Sequence, residues 1–249
     1  MEEYDGTPLD ILAFGAHPDD VELSAGGTMW LAAQRGQRTG IVDLTAGELG
    51  SRGTAALRAE ESTAAAQVLG LAVRENLGLR DGLPENEDRA LLAIVRALRL
   101  YQPRVVLANA LEDRHPDHGR AAAWVERAVF LSGLVRVETA GEDGSLQKPH
   151  RPRHVLHYIQ DWPRTPDLVV DITGAQAAKF EAIAAYGSQF FSKDQEGKEQ
   201  ADTPISSPEF LEILRGRDLM MGRMIGVLHG EGFESKTPIG IGGFSALLA

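Results

Sequence analysis

The segment Ala16–Glu22, with the sequence AHPDDVE, places one imidazole and three carboxylates in a single short stretch. Imidazole and carboxylate are common ligands of divalent cations, and His17 and Asp20 lie three residues apart. The proline between them fixes its own φ and restricts the residue before it, so the stretch is stiff. The alternative is a capping box in which Asp19 and Glu22 begin a helix. Capping, however, gives no reason for a histidine beside two adjacent aspartates.

A second segment, Arg114–His118, has the sequence RHPDH and repeats the combination of histidine, proline and aspartate. Its His118 could add a second imidazole to His17 and Asp20. Two histidines and one carboxylate leave coordination positions open for water and substrate. Non-haem Fe(II) oxygenases also use such a set, so these three residues alone leave hydrolysis and oxygen chemistry open.

The side chains beside this ligand set favour hydrolysis. A divalent ion lowers the pKa of water from 15.7 to roughly 7, and Asp19 could act as the general base that removes its proton. His115, as an imidazolium, could stabilise the oxyanion and then protonate the leaving amine. Asp117 could orient the ring of His115 or of a ligand histidine. We therefore predict a catalytic metal centre.

Both segments lie at predicted turns from a strand to a helix. The apolar runs Asp10–Gly15 and Arg104–Ala108 predict buried strands directly before them, and the stretches Leu23–Arg35 and Gly119–Leu131 predict the helices that follow. In a doubly wound sheet such strand ends converge on one crevice. We therefore expect the two segments to meet there.

Strands and helices alternate along much of the chain, which predicts a Rossmann-like α/β fold with a mostly parallel sheet and helices on both faces. Further strands are predicted at Arg38–Thr45, Arg74–Leu79, His154–Gln160 and Leu168–Ile172. Further helices are predicted at Leu57–Leu71, Asp88–Leu100, Gly174–Tyr186 and Pro208–His229. No linker of domain-separating composition is present, so residues 1–249 are predicted to form one domain. The partly apolar tail Gly230–Ala249 could pack on a neighbouring subunit or fold back onto its own domain.

Composition narrows the class of protein. The formal net charge of −11 argues against nucleic-acid binding, which needs a basic surface. No apolar run is long enough to span a membrane, and the acidic N-terminus lacks the features of a signal peptide. The absence of cysteine excludes thiolate metal ligands. These features favour a cytoplasmic protein that acts on a small molecule.

The motif AHPDDxE at Ala16–Glu22, followed by HPDH at His115–His118, resembles the zinc-dependent PIG-L (LmbE-like) deacetylases. The resemblance extends over nearly the whole chain and implies removal of acetyl from an N-acetylglucosamine conjugate. It also implies bound Zn²⁺, with Fe²⁺ or another divalent ion as alternatives, and a homo-oligomer, specifically a hexamer. The roles that it implies are metal ligands His17, Asp20 and His118, base Asp19, acid or oxyanion group His115, and substrate contacts Arg58 and Glu48.

Within that family, four stretches resemble the branch in bacillithiol biosynthesis, which deacetylates N-acetylglucosaminyl L-malate. They are Gly47–Thr54, Arg58–Glu61, Tyr186–Phe190 and Gly230–Phe233, with Ser51 where threonine is expected. The two carboxylates of malate would need cationic partners, and arginine suits them. Arg52 and Arg58 lie in or beside the glycine-rich loop.

Three alternatives stay open. The first is the same chemistry on an inositol glycoside or a chito-oligosaccharide. The second is a non-catalytic sugar- or nucleotide-binding module, although no G-x-G-x-x-G follows the first strand. The third is the Fe(II) oxygenase.

Overall fold

A computed structural model describes residues 4–83, 86–141, 143–190, 203–241 and 243 of the chain. Its strands are β1 Ile11–Gly15, β2 Thr39–Thr45, β3 Val73–Leu79, β4 Val105–Ala108, β5 His154–Tyr158, β6 Leu168–Asp171 and β7 Gly230–Glu234. Its helices are α1 Asp20–Gln34, α2 Ala55–Leu69, α3 Glu87–Tyr101, α4 Pro116–Ser132, α5 Gln176–Ala184 and α6 Pro208–Met224.

The strands form one seven-stranded sheet in the order β3-β2-β1-β4-β5-β7-β6. The pairs from β3 to β5 are parallel, whereas β7 pairs antiparallel with both β5 and β6. Alternating strands and helices produce the parallel part because each helix carries the chain back to the same edge. The predicted α/β fold with a mostly parallel sheet is confirmed.

Helices cover both faces of the sheet, as the sequence predicts. Successive strand residues point to opposite faces, so Phe14 of β1 joins one apolar cluster and Ala13 joins the other. The first cluster contains Leu91 and Leu98 of α3 and residues of α4. The second contains residues of α1, α2, α5 and α6. A strand buried on both faces is typical of a parallel sheet.

The two helices that follow the His/Asp segments begin earlier than predicted. Helix α1 begins at Asp20 rather than at Leu23, and α4 begins at Pro116. Proline suits a first helical position because its missing N–H would have no partner there. The capping-box alternative is wrong, because the side chain of Asp19 makes no capping hydrogen bond and its φ is 114°.

The C-terminal region differs most from the prediction. Helix α6 ends at Met224, and β7 forms in the stretch predicted as a tail. A Cβ on Gly230 would lie 2.8 Å from the backbone nitrogen of Gly222, and one on Gly232 would lie 2.9 Å from the sulfur of Met221. Glycine therefore lets α6 pack directly on β7. The first five residues of the tail, Gly230–Glu234, therefore join the protein's own sheet as β7. Residues 242 and 244–249 lie outside the described ranges.

Among the described helices we find none with the length and apolarity that a membrane crossing requires. The single-domain organisation stays a prediction.

Candidate metal centre and active-site cleft

The two His/Asp segments meet at the carboxyl ends of β1 and β4, which are parallel neighbours. The ring centroid of His17 lies 4.8 Å from that of His115 and 5.9 Å from that of His118. One nitrogen from each of the three rings can be chosen so that all three lie within 4.8 Å of one another. The expected convergence of the strand ends is therefore present.

Asp20 lies against two of these rings. Its Oδ1 is 3.0 Å from Nε2 of His118, and its Oδ2 is 3.7 Å from Nδ1 of His17. The carboxylate also accepts hydrogen bonds from Nδ2 of Asn109 at 2.9 Å and from Nε2 of Gln160 at 3.2 Å. Burial alone would raise the pKa of Asp20, but His118 and His17 outweigh it and hold that pKa well below its usual range. The two predicted ligand histidines thus lie beside the ionised carboxylate of Asp20, which is the third predicted ligand.

Carboxylates also contact the far nitrogens of the two predicted ligand histidines. Oδ1 of Asp81 is 3.1 Å from Nε2 of His17, and Oδ2 of Asp113 is 2.5 Å from Nδ1 of His118. If these nitrogens carry the protons, Nδ1 of His17 and Nε2 of His118 are left as acceptors on the side of Asp20. Histidines that bind metals are commonly oriented in this way.

Asp117 lies near two rings, with its Oδ2 3.6 Å from Nε2 of His17 and 3.9 Å from Nδ1 of His115. Neither distance is short enough for a hydrogen bond, so the predicted orienting role of Asp117 stays a prediction. The shorter carboxylate contacts of the ligand rings are with Asp81 and Asp113.

The charge of the cluster suits a cation. Burial lowers the pKa of His17, but the nearby carboxylates of Asp117, Asp81 and Asp20 outweigh burial and raise it to about 10. Burial likewise lowers the pKa of His118, but Asp20 and Asp113 raise it to about 9. The site therefore stabilises positive charge, and a divalent ion could replace the ring protons. His17, Asp20 and His118 offer nitrogen and oxygen donors that suit Zn²⁺ or Fe²⁺.

Asp19 lines the same cleft as His17 and contacts Arg58 of α2. Its carboxylate accepts a hydrogen bond of 2.9 Å from Nη2 of Arg58, and both side chains are buried. Burial raises the pKa of Asp19 to about 7, while Arg58 opposes the rise. A carboxylate with a pKa in this range is suited to act as a general base near neutral pH.

Arg58 lines the cleft, but its guanidinium is engaged by the protein itself. Besides Asp19, it donates to the carbonyl oxygens of Gly47 at 3.4 Å and Pro18 at 3.3 Å. Gly47 has φ 63°, and a Cβ there would lie 1.8 Å from Nη1 of Arg58. Glycine at this position therefore leaves room for the arginine. A direct substrate contact by Arg58 stays a prediction.

His115 is half-buried, and its ring centroid lies 4.8 Å from that of His17 and 5.0 Å from that of His118. Burial and the neighbouring His17 and His118 lower its pKa below 6.5, so the imidazolium expected from the sequence is disfavoured at neutral pH. Its Nδ1 accepts a hydrogen bond from the backbone N–H of Asp117 at 3.3 Å. The proton of the neutral ring is then on Nε2, which can still donate to a substrate oxygen.

His17, Asp20 and His118 line a cleft of about 790 Å³. Leu49, Gly50 and Ser51 of the glycine-rich loop also line it, whereas Glu48 and Arg52 do not. Oε1 of Glu48 accepts a hydrogen bond from the backbone of Asp81, and Nε of Arg52 donates to the carbonyl of Ser188. In this structure both side chains join the loop to its neighbours, so their predicted substrate contacts gain no support.

Comparison with known proteins agrees with this architecture. Residues 12–129 match the family model described as PIG-L, GlcNAc-PI de-N-acetylase. The chain is also 30% identical, over 73% of its length and 78% of the relative, to 1D-myo-inositol 2-acetamido-2-deoxy-alpha-D-glucopyranoside deacetylase 1 of Saccharopolyspora erythraea. The chain belongs to the PIG-L family.

Two solved structures resemble this PIG-L protein over most of both chains. The conserved protein TT1542 of Thermus thermophilus is 36% identical, with a TM-score of 0.81 and coverage of 95% of this chain and 99% of the other. N,N'-diacetylchitobiose deacetylase of Pyrococcus horikoshii is 27% identical, with a TM-score of 0.75 and coverage of 90% and 82%. The relatives do not test the individual roles of the site residues, which stay predictions.

Several polar residues of the site are not among those predicted from the sequence. Asn109 and Gln160 hold Asp20, and Asp81 and Asp113 contact the histidines. All four follow the carboxyl end of a strand of the sheet: β4, β5, β3 and β4, respectively. The rule that ligands bind at this edge could have drawn attention to them.

Replacing Asp113 with asparagine in this PIG-L protein is expected to weaken binding of Zn²⁺ by roughly 10- to 100-fold. Asparagine can keep the hydrogen bond from the backbone of Trp162 to Oδ1. Its amide nitrogen, placed against Nδ1 of His118, favours the tautomer with the proton on Nε2, which removes that ligand atom. Competition with a chelator measures the affinity. Asp161→Asn is the matched control, since Asp161 also lines the cleft but pairs with Arg114. Equal zinc affinity in all three proteins would contradict the orienting role.

The pH dependence of turnover is expected to follow Asp19. A base must be unprotonated, so kcat rises with pH through the pKa of Asp19 and levels off at higher pH. Without a bound ion this pKa is about 7, and a divalent ion beside Asp20 would lower it. The rising limb of the profile of kcat against pH should therefore lie below pH 7 for the metal-loaded protein.

Arg58→Met removes the main charge that lowers the pKa of Asp19, so the limb should move to higher pH. The measurement is kcat from about pH 5 to 9 for the metal-loaded proteins. Arg114→Met is the control, because Arg114 lines the same cleft but pairs with Asp161. A limb that stays in place in Arg58→Met would exclude Asp19 as its origin.

Proposed function

We propose that this protein is a metal-dependent N-deacetylase that hydrolyses the acetamide of an N-acetylglucosamine conjugate. The observation that carries the proposal is the set of His17, Asp20 and His118 beside Asp19, a buried carboxylate with a raised pKa. A divalent ion, zinc in the first instance, would be held by the three ligands and would polarise the acetyl carbonyl and acidify water.

The protein's own groups account for the proton transfers. Asp19 removes a proton from the attacking water, whose oxygen forms a bond to the carbonyl carbon. Nε2–H of His115 donates a hydrogen bond to the oxyanion that develops on the former carbonyl oxygen. The C–N bond then breaks, and the nitrogen takes up the proton that Asp19 received. The products are acetate and the free amine of the glucosamine conjugate.

The sugar part of the substrate is common to every candidate. The Saccharopolyspora relative is named for an inositol glycoside and the Pyrococcus relative for diacetylchitobiose. The loop sequences of this chain resemble those of the branch that acts on the malate glycoside in bacillithiol biosynthesis. All three carry a 2-acetamido sugar, on which the His/Asp cluster would act. A cytoplasmic location and a homohexamer stay predictions.

The test is release of acetate and amine by the purified protein loaded with Zn²⁺, Fe²⁺ or Co²⁺. The substrates are N-acetylglucosaminyl malate, the inositol glycoside, diacetylchitobiose and free N-acetylglucosamine. We expect equal amounts of acetate and amine from at least one conjugate, and none after removal of the metal. A protein that binds the sugars without releasing amine would instead be a binding module. Oxygen uptake with a keto acid and no acetate would indicate the oxygenase.

A further inference from the structure

Helix α6 lines part of the cleft that also contains the His/Asp cluster. The α6 residues that line the cleft, Gly216 apart, recur at the spacing of one helical face. They are Phe210, Ile213, Leu214, Arg217, Met220 and Met221. Five of the six are apolar, and we call these five the α6 stripe.

Two members of the α6 stripe are left uncovered. Leu214 and Met221 are buried in the protein, but Ile213 is 69% exposed and Met220 is 46% exposed. Both nevertheless line the cleft that contains His17 and Asp19. Apolar side chains that stay exposed inside a binding cleft favour a ligand whose own apolar surface covers them.

The apolar surface extends beyond α6. Pro163, Pro204 and Ile205 line the same cleft. Arg217, the polar residue on this face of α6, donates to the carbonyl oxygens of Gln160 at 2.5 Å and Leu23 at 2.6 Å. The guanidinium of Arg217 therefore connects α6 to two other segments of the protein, and its hydrogen bonds are made there rather than to a ligand.

The charges of the cleft disfavour a dianionic group. Besides Arg217, the arginines among the described lining residues are Arg58 and Arg114, which are paired with Asp19 and Asp161. The described arginines that line the cleft are therefore already engaged within the protein, and a malate group would have to compete for them with Asp19, Asp161 or backbone carbonyls. A neutral apolar group would instead meet the α6 stripe.

We infer that the α6 stripe binds the aglycone of the substrate and that this aglycone is a neutral alkyl, aryl or acyl group. With the acetamide at the His/Asp cluster, the sugar spans the cleft and directs its substituent onto α6. The inference rests on the proposed deacetylase function and goes beyond it by naming the class of aglycone. It favours such a group over malate.

The experiment compares hexyl, methyl and malyl N-acetylglucosaminides with the zinc-loaded protein. We expect kcat/KM for the hexyl glycoside to exceed that of the methyl glycoside by about tenfold, with the malyl glycoside no better than methyl. Met220→Ser should bring the hexyl-to-methyl ratio towards one. Leu219→Ser is the matched control, since Leu219 is 44% exposed on the same helix but does not line the cleft. It should leave the ratio unchanged.

Binding provides a second readout that does not need turnover. The same glycosides are titrated by calorimetry into Asp19→Asn and into Asp19→Asn combined with Met220→Ser or Leu219→Ser. Tighter binding of the hexyl glycoside, lost only with Met220→Ser, supports the inference even if no glycoside is hydrolysed, and that failure would count against the deacetylase alone. A preference for the malyl glycoside, or equal binding of hexyl and methyl, would overturn the inference while leaving the deacetylase intact.

Discussion

Asp19→Asn is expected to lower kcat by roughly 10²- to 10⁴-fold while the protein still binds one divalent ion with its usual affinity. Asparagine cannot accept the proton that a general base removes. It can keep the hydrogen bond from Arg58, and it tolerates the positive φ of 114° better than most residues. The change therefore removes the base and leaves the local structure in place.

The measurement pairs kcat with metal content after dialysis and with the thermal midpoint. Asp161→Asn again serves as the control, because it removes another carboxylate that lines the cleft. That control should keep nearly full activity. If Asp19→Asn kept kcat within about threefold of the parent, Asp19 would not be the base. If it lost its metal instead, Asp19 would be a ligand.

The sequence predicts the meeting of the two His/Asp segments because each follows a strand and leads into a helix. Neighbouring parallel strands end at the same edge, so His17 and His118 had to approach once β1 and β4 paired. The pairing of Asp19 with Arg58 could not be predicted in the same way. It depends on how the first turn of α2 lies over the turn before α1, which is decided by tertiary packing.

Strand β7 is an element of the fold that could not be predicted from the sequence, again because it depends on tertiary packing. Gly230 and Gly232 have weak intrinsic preference for a strand, so the stretch reads as a tail in the sequence. The structure needs these glycines because α6 packs closely on them. The two glycines that disfavour a strand locally are therefore required by packing against a distant helix, and a single sequence does not reveal that contact.

His115→Asn is expected to lower kcat by roughly 10²- to 10³-fold with little change in metal affinity. The ring of His115 supplies the N–H that would meet the oxyanion, and asparagine is too short to replace it. Asparagine is a favoured N-cap residue, so it can take over the hydrogen bond to the backbone of Asp117 at the start of α4. The loss should therefore be catalytic rather than a loss of folding.

Loss of the metal in His115→Asn is the opposite result. The structure allows it, because His115 also has a nitrogen within 4.8 Å of nitrogens of His17 and His118. His118→Asn is the comparison, and it should lose metal affinity as well as activity, since Nε2 of His118 faces Asp20. If His115→Asn released the metal as readily as His118→Asn, His115 would be a ligand and the oxyanion donor would have to be sought elsewhere. If His115→Asn keeps its metal but turns over slowly, and His118→Asn loses its metal, His115 is the oxyanion donor and His118 is a metal ligand.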